Sequence, residues 1–237
     1  DGRIHNKQTN VGFDTSEEAR EMTDVQARLD HMDELEINIQ VIYPTLFLRP
    51  ITTNAEIEYA LCKSYNRWVA DLCKPAPDRL LWAVCPPLLS MDRVRDEIKW
   101  GKENGACAIF IRALETGRML SDAYFEPLYK MAAEFDMPIA LHSGVADFEV
   151  HEKFRTDPGF SRFKCTGIGA FHDLLFSGLP KQFPDVRWGF VELSAQWVPY
   201  VLNDLRLRLE RRGVDVPETV LEDNNIYVAC QVTDDLD

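Results

Sequence analysis

Short apolar runs that stop at a reactive polar residue occur three times in this chain, and they alternate with segments of helical period. Cys107-Ala108-Ile109-Phe110-Ile111 runs into Arg112, Pro138-Ile139-Ala140-Leu141 into His142, and Val186-Arg187-Trp188-Gly189-Phe190-Val191 into Glu192. Runs of this kind, bounded by turn residues, read as strands buried on both faces. Alternation with helices means a mainly parallel sheet with right-handed crossovers. Parallel α/β proteins bind and react at the carboxyl ends of their strands. A cation, an imidazole and a carboxylate are therefore expected at one mouth, as in an enzyme.

The pattern extends over most of the chain. Thr23-x-x-Gln26 predicts a capped helix carrying Val25, Leu29, Met32 and Leu35, followed by a strand over Ile37–Tyr43 that Pro44 stops. Thr53-x-x-Glu56 opens another helix, with Ile57, Leu61, Tyr65, Trp68, Val69 and Leu72 as its apolar face. A strand over Leu80–Val84 and a helix from Ser90 to Asn104, closed by Gly105, come next. Asp122 to Phe135 reads as helix, with Pro127 tolerated near its start. Ser143 to Thr166 reads as a long polar loop, and such loops are usually functional or mobile. A helix near Gly169–Gly178, a helix capped by Ser194 and a last strand over Ile226–Cys230 complete roughly six strands. An open doubly wound sheet and a barrel of eight βα units both fit. G-x-G-x-x-G, the P-loop and G-x-S-x-G are absent, which removes dinucleotide-binding sheets, nucleoside triphosphatases and the usual serine hydrolases.

The 237 residues fit one large α/β domain or two small ones, and a single domain over 1–237 is expected. A formal net charge of −13 argues against nucleic acid and anionic membrane surfaces as partners. No apolar stretch is long enough to span a bilayer and no secretory signal opens the chain. Six cysteines without a C-x-x-C pair fit a reducing cytoplasm and read as small buried hydrophobes. A cytoplasmic homo-oligomer acting on a small molecule is expected.

Each reactive residue has two readings. His142 could ligate a divalent metal, or be a buried histidine bonded to backbone. Glu192 could be a ligand, an acid/base or a carboxylate paired with a neighbour. Arg112 could clamp a substrate carboxylate, or form a structural ion pair across the mouth. Tyr43 and Trp197 could line a substrate pocket or simply pack in the core. His151 reads as an exposed loop histidine, His31 and His172 as ordinary helix residues, and His5 carries no signal.

The stretches Phe125-Glu126-Pro127-Leu128-Tyr129 with Met137 to Gly144, Phe183 to Pro199, and Leu29 to Leu35 leading into Val41-Ile42-Tyr43-Pro44 resemble the amidohydrolase-related metal enzymes. The resemblance spans nearly the whole chain. It implies a distorted eight-stranded (β/α)8 TIM-type barrel holding one divalent metal, zinc in the first instance, with manganese or iron as alternatives. It puts the strand-5 metal histidine of that family on His142. The family's strand-1 H-x-H pair and strand-8 aspartate have no visible counterpart, so the chain is expected to lack strands 1 and 8 and to carry an incomplete site. Asp234, Asp235 and Asp237 read as a loop acid cluster instead. The decarboxylating branch usually has histidine where this chain has Glu192. That favours a hydrolase of a small carboxylate, ester, thioester or amide, with Glu192 catalytic and Arg112, Tyr43 and Trp197 on the substrate. A decarboxylase of an aromatic or unsaturated acid and an inactive ligand-binding barrel are the alternatives.

Overall fold

Strand order decides between the two architectures. In this computed structural model, which describes residues 15–235, the strands are β1 (Gln40–Ile42), β2 (Leu80–Val84), β3 (Ala106–Arg112), β4 (Ile139–His142), β5 (Trp188–Val191) and β6 (Ile226–Val228). They lie side by side in chain order, every neighbouring pair parallel. A doubly wound sheet reverses its order at a switch point. Here the order never reverses, and the sheet curls as a half-barrel. His5 and Asp237 lie outside the described residues.

The curl separates two apolar layers. Outward, Trp82, Ile109, Ile111, Leu141, Trp188 and Phe190 join the residues of the surrounding helices in the larger core. Inward, Ala83, Cys85, Ala108, Phe110 and Ala140 form a smaller cluster with Phe47 and Cys62. Small side chains on the concave face let the sheet bend. An irregularity in the β2–β3 pairing sets which residues point inward. Trp82 pairs with Ala106, but Ala83 pairs with Ala108, so Cys107 is an extra residue. A one-residue slip moves every later side chain to the other face. It turns Ala108, Phe110 and hence Arg112 inward.

The helices are α1 (Glu17–Arg20), α2 (Val25–Glu34), α3 (Ala55–Cys73), α4 (Met91–Glu103), α5 (Glu126–Glu134), α6 (Phe148–Lys153), α7 (Thr166–Phe176), α8 (Leu179–Gln182) and α9 (Val198–Glu210). Several boundaries differ from the sequence expectation. Asp24, not Thr23, caps α2, its carboxylate accepting from the Gln26 amide at 2.9 Å. Asn54, not Thr53, caps α3 by accepting from the Glu56 amide at 3.0 Å. Asp24 and Asn54 both have the extended backbone that a helix N-cap adopts. The apolar face expected of α3 is also offset. Glu58, Cys62, Asn66, Val69, Ala70 and Cys73 are buried, while Ile57, Leu61 and Trp68 are largely exposed. Leu61, Tyr65 and Trp68 line a groove of about 770 Å³ along β1.

The polar stretch after His142 is not a bare loop. Asp147 caps α6 by accepting from the Val150 amide at 2.7 Å, and a π-helix (Phe160–Cys165) runs into α7. Ser194 does not cap a helix either. It has φ +68°, its hydroxyl donates to Asp234, and α9 starts later at Val198. The cysteines divide: Cys62, Cys73 and Cys85 are buried, whereas Cys165 and Cys230 are exposed.

Candidate active site

Three of the residues expected to converge do so. Arg112 and His142 are paired in register at the carboxyl ends of β3 and β4, and His142 is in turn paired with Val191, one residue before Glu192. His142 points to the concave side, its ring centre 5.1 Å from that of Tyr43 and 6.2 Å from that of Phe110.

The imidazole is buried and oriented. Nδ1 lies 3.0 Å from the Ser143 carbonyl and 3.4 Å from a Glu192 carboxylate oxygen. Both are acceptors, so the proton belongs on Nδ1 and the lone pair on Nε2. Among the described residues no hydrogen bond falls to Nε2. The Ser143 hydroxyl donates to the same Glu192 oxygen at 2.7 Å. Burial, partly offset by the Ser143 carbonyl and by Glu192, lowers the imidazole pKa. The ring is thus held neutral, as a metal ligand must be.

Glu192 is placed by strain. It follows β5 with φ +58°, and Ser194 also lies in the left-handed region, where residues other than glycine are costly. That backbone bend turns the carboxylate back onto Ser143 and His142. The Lys164 ammonium bonds to the Glu192 carbonyl and, at 3.1 Å, to the Gln231 amide oxygen. Asp234 accepts from the Ala195 amide at 2.9 Å and the Gln231 amide at 2.8 Å. Asp234, after β6, therefore ties the loop following β5 in place.

Arg112 shows the structural geometry of its two readings. Its Nε and one terminal nitrogen donate to the two Glu115 oxygens at 2.8 and 2.7 Å, and the other terminal nitrogen to the carbonyls of Phe47 and Arg49 at 2.8 and 3.2 Å. Glu115 sits beyond the strand in a tight turn, and no spacing or motif marks it. Tyr43 flanks the imidazole, and burial pushes its hydroxyl up to about 12, so it remains a neutral donor. Trp197 lies elsewhere: its ring meets Phe171 edge-on at 4.9 Å and its Nε1 donates to the Leu193 carbonyl at 3.0 Å. Those contacts belong to the outer core. Gly144 closes the rim. Its φ is +141°, and a Cβ there would lie 2.7 Å from the Leu48 carbonyl oxygen.

His142, with its free lone pair, fits one position of a metal's coordination shell. Among the described residues no group of three His, Cys, Asp or Glu side chains could enclose an ion. These residues therefore offer one ligand with its orienting carboxylate, not a full set. No helix among them is long and apolar enough to cross a membrane.

The sequence profile of the family described as Amidohydrolase matches residues 5–221. No curated protein matches the chain. Among solved structures, an amidohydrolase from Mycobacterium avium subsp. paratuberculosis is similar at 21% identity and TM-score 0.72, covering 89% of this chain and 59% of that one. A 5-carboxyvanillate decarboxylase from Novosphingobium aromaticivorans, complexed with manganese and 4-hydroxy-3-methoxy-5-nitrobenzoic acid, shows 18% identity and TM-score 0.75, covering 93% of this chain and 67% of that one. A 2,6-dihydroxybenzoate decarboxylase complexed with 2,6-dihydroxybenzoate shows 15% identity and TM-score 0.67, covering 85% of this chain and 67% of that one. At such identities the likeness is one of fold. This chain spans about three-fifths to two-thirds of the length of these proteins.

Proposed function

The chain belongs to the amidohydrolase family, and on that premise we propose that it serves a divalent-metal-dependent enzyme acting on a small acid, by non-oxidative decarboxylation of an aromatic or unsaturated carboxylate. The observation that carries this reading is the His142–Ser143–Glu192 arrangement. The imidazole is neutral, its Nδ1 is pinned by acceptors, and its Nε2 is available at the mouth. A carboxylate that orients a ligating histidine raises the ligand's basicity. In that role Glu192 is a partner of His142 and does not by itself choose hydrolysis. That removes the main sequence argument for a hydrolase, while two of the similar structures are decarboxylases.

A bound divalent ion would supply charge stabilisation to a chelated acid. Manganese is present in the 5-carboxyvanillate decarboxylase, and zinc fits a histidine ligand equally well. This chain's residues would do the rest. His142 would hold the ion, Glu192 and Ser143 would fix the ring, and Tyr43 would present a neutral hydroxyl to the substrate. Hydrolysis of an ester or amide is the second reading. It is favoured by the half-exposed Glu192 side chain, which could also hold a water.

The test is a panel of aromatic and unsaturated acids assayed for CO₂ release beside esters, thioesters and amides assayed for cleavage, with metal content measured on the same preparation. CO₂ release that disappears in His142→Ala together with the metal supports the proposal. Cleavage without CO₂ release would replace it with the second reading, and a metal content near zero would sink both.

A further inference from the structure

Among the described residues, two arginines and a histidine in the segments above His142 form no salt bridge with a carboxylate. Arg49 follows the 3-10 turn Thr45–Leu48, His151 sits in α6, and Arg162 in the π-helix. The guanidinium carbons of Arg49 and Arg162 lie 5.9 and 5.0 Å from the centre of the Phe163 ring. The three groups feel one another. Burial and then Arg162 lower the Arg49 pKa, and burial followed by Arg162 and Arg49 lowers that of His151.

Among the described residues neither guanidinium makes a salt bridge or a side-chain hydrogen bond. The nearby carboxylates spend their hydrogen bonds elsewhere, although the Arg162 charge adds to the hydrogen bonds that hold Asp157 low against burial, and the Glu152 charge acts on His151. Asp157 accepts from the amides of Gly159 and Ser161 and from the Ser161 hydroxyl, and Glu152 pairs with Arg155 at 3.0 Å. Arg162 Nε and His151 Nε2 are buried without a hydrogen-bond partner. Bringing two guanidiniums together and leaving buried polar atoms unpaired is costly. In a chain with a net charge of −13, such a cluster needs a reason.

Its place supplies one. The Arg49 carbonyl accepts from Arg112, and the Arg162 carbonyl accepts from the Thr166 hydroxyl at 3.0 Å, which also reaches the Gly144 carbonyl at 3.5 Å. The cluster is thus anchored to the rim two residues from His142. Arg112 itself is spent on Glu115. We propose that Arg49, Arg162 and His151 form an oxyanion subsite that holds a carboxylate of the ligand beside the His142 mouth. Guanidinium forks match the two oxygens of a carboxylate. The assignment concerns binding and does not depend on which reaction follows.

Calorimetric titration of the purified protein with benzoate, benzamide and inorganic phosphate, with and without added manganese, tests it. Benzoate is expected to bind, benzamide not to bind, and phosphate to bind more weakly than benzoate. Arg49→Gln with Arg162→Gln should weaken benzoate by about tenfold or more, and the corresponding Lys pair should recover part of that loss. The single Arg49→Gln variant gives the same reading at about threefold should the double variant fail to fold. Unchanged benzoate affinity in the Gln variants, no benzoate binding by the parent, equal binding of benzamide, or tighter binding of phosphate would each overturn the carboxylate subsite. Because titration needs no turnover, intact benzoate binding without any decarboxylation would sink the reaction and leave the subsite standing. Decarboxylation with an unchanged KM in the Gln variants would do the opposite.

Discussion

Two carboxylate pairs share one rim and have opposite characters. Arg112 and His142 are register partners on neighbouring strands. The Arg112–Glu115 side chains are 7% and 2% exposed, while His142 and Glu192 are 9% and 52% exposed. In the first pair both carboxylate oxygens and three guanidinium nitrogens are satisfied. In the second, one imidazole nitrogen is fixed and the other is left for a ligand. Adjacent strand ends thus divide the work. The β3 end locks the rim, and the β4 and β5 ends keep an atom available. The division explains why burial alone does not identify a reactive residue here. Arg112 and His142 are equally buried, and only their partners distinguish them.

The largest effect expected falls on the locked pair. Glu115→Ala would leave a buried guanidinium without its carboxylate and should destabilise the fold by about 3–5 kcal/mol. The midpoint of urea unfolding measures it, and a loss below about 1 kcal/mol would break the contrast. Gly144→Ala should follow at about 1–3 kcal/mol, because a Cβ would meet the Leu48 carbonyl at 2.7 Å and φ is +141°. That backbone cannot be relieved by a rotamer change. An unchanged unfolding midpoint would mean that the rim segments are held less closely than the geometry implies.

Glu192→Gln sharpens the same contrast from the other side. The half-exposed side chain of Glu192 should contribute under about 1 kcal/mol to stability. In the proposed role its charge orients a ligating imidazole, so metal affinity or turnover should fall by about 10–100-fold. Stability loss without any change in metal affinity or turnover would place Glu192 with Glu115 as a structural carboxylate.

Most strands and helices were legible in the sequence because buried parallel strands and amphipathic helices have distinct periods. Arg112, His142 and Glu192 converge because each ends such a run. What the sequence did not show depends on geometry between distant segments. The extra residue at Cys107 decides which face Arg112 takes, and an apolar run of uniform character carries no mark of it. Glu115 took the guanidinium because a turn folds it back over three residues. The group of Arg49, His151 and Arg162 joins segments about a hundred residues apart, and the helix capped by Asp147 that carries His151 is hidden in a polar stretch. An aromatic residue type does not tell pocket from core, and the contacts of Trp197 lie in the outer core.

The smallest effect asks whether the locked side is fully neutralised. Glu58, on α3, accepts from the Leu89 amide at 2.6 Å, and burial, with the Glu115 charge adding to it, pushes its carboxyl from 4.5 up to about 7. Arg112 opposes that shift only weakly because Glu115 already occupies it. An acid whose pKa is raised on folding binds more protons in the native state. Its stabilising share is complete below the unfolded value of 4.5 and is lost as pH rises through the window to about 7. Allowing for partial solvent screening, the loss amounts to about 1–2 kcal/mol. Glu58→Gln keeps an acceptor for the Leu89 amide and carries no charge at any pH. The difference between parent and variant in urea midpoint should therefore change in the variant's favour between about pH 5 and about pH 8. Parallel profiles across that range would show that Arg112 compensates two carboxylates at once, and the rim would then be balanced on its structural side after all.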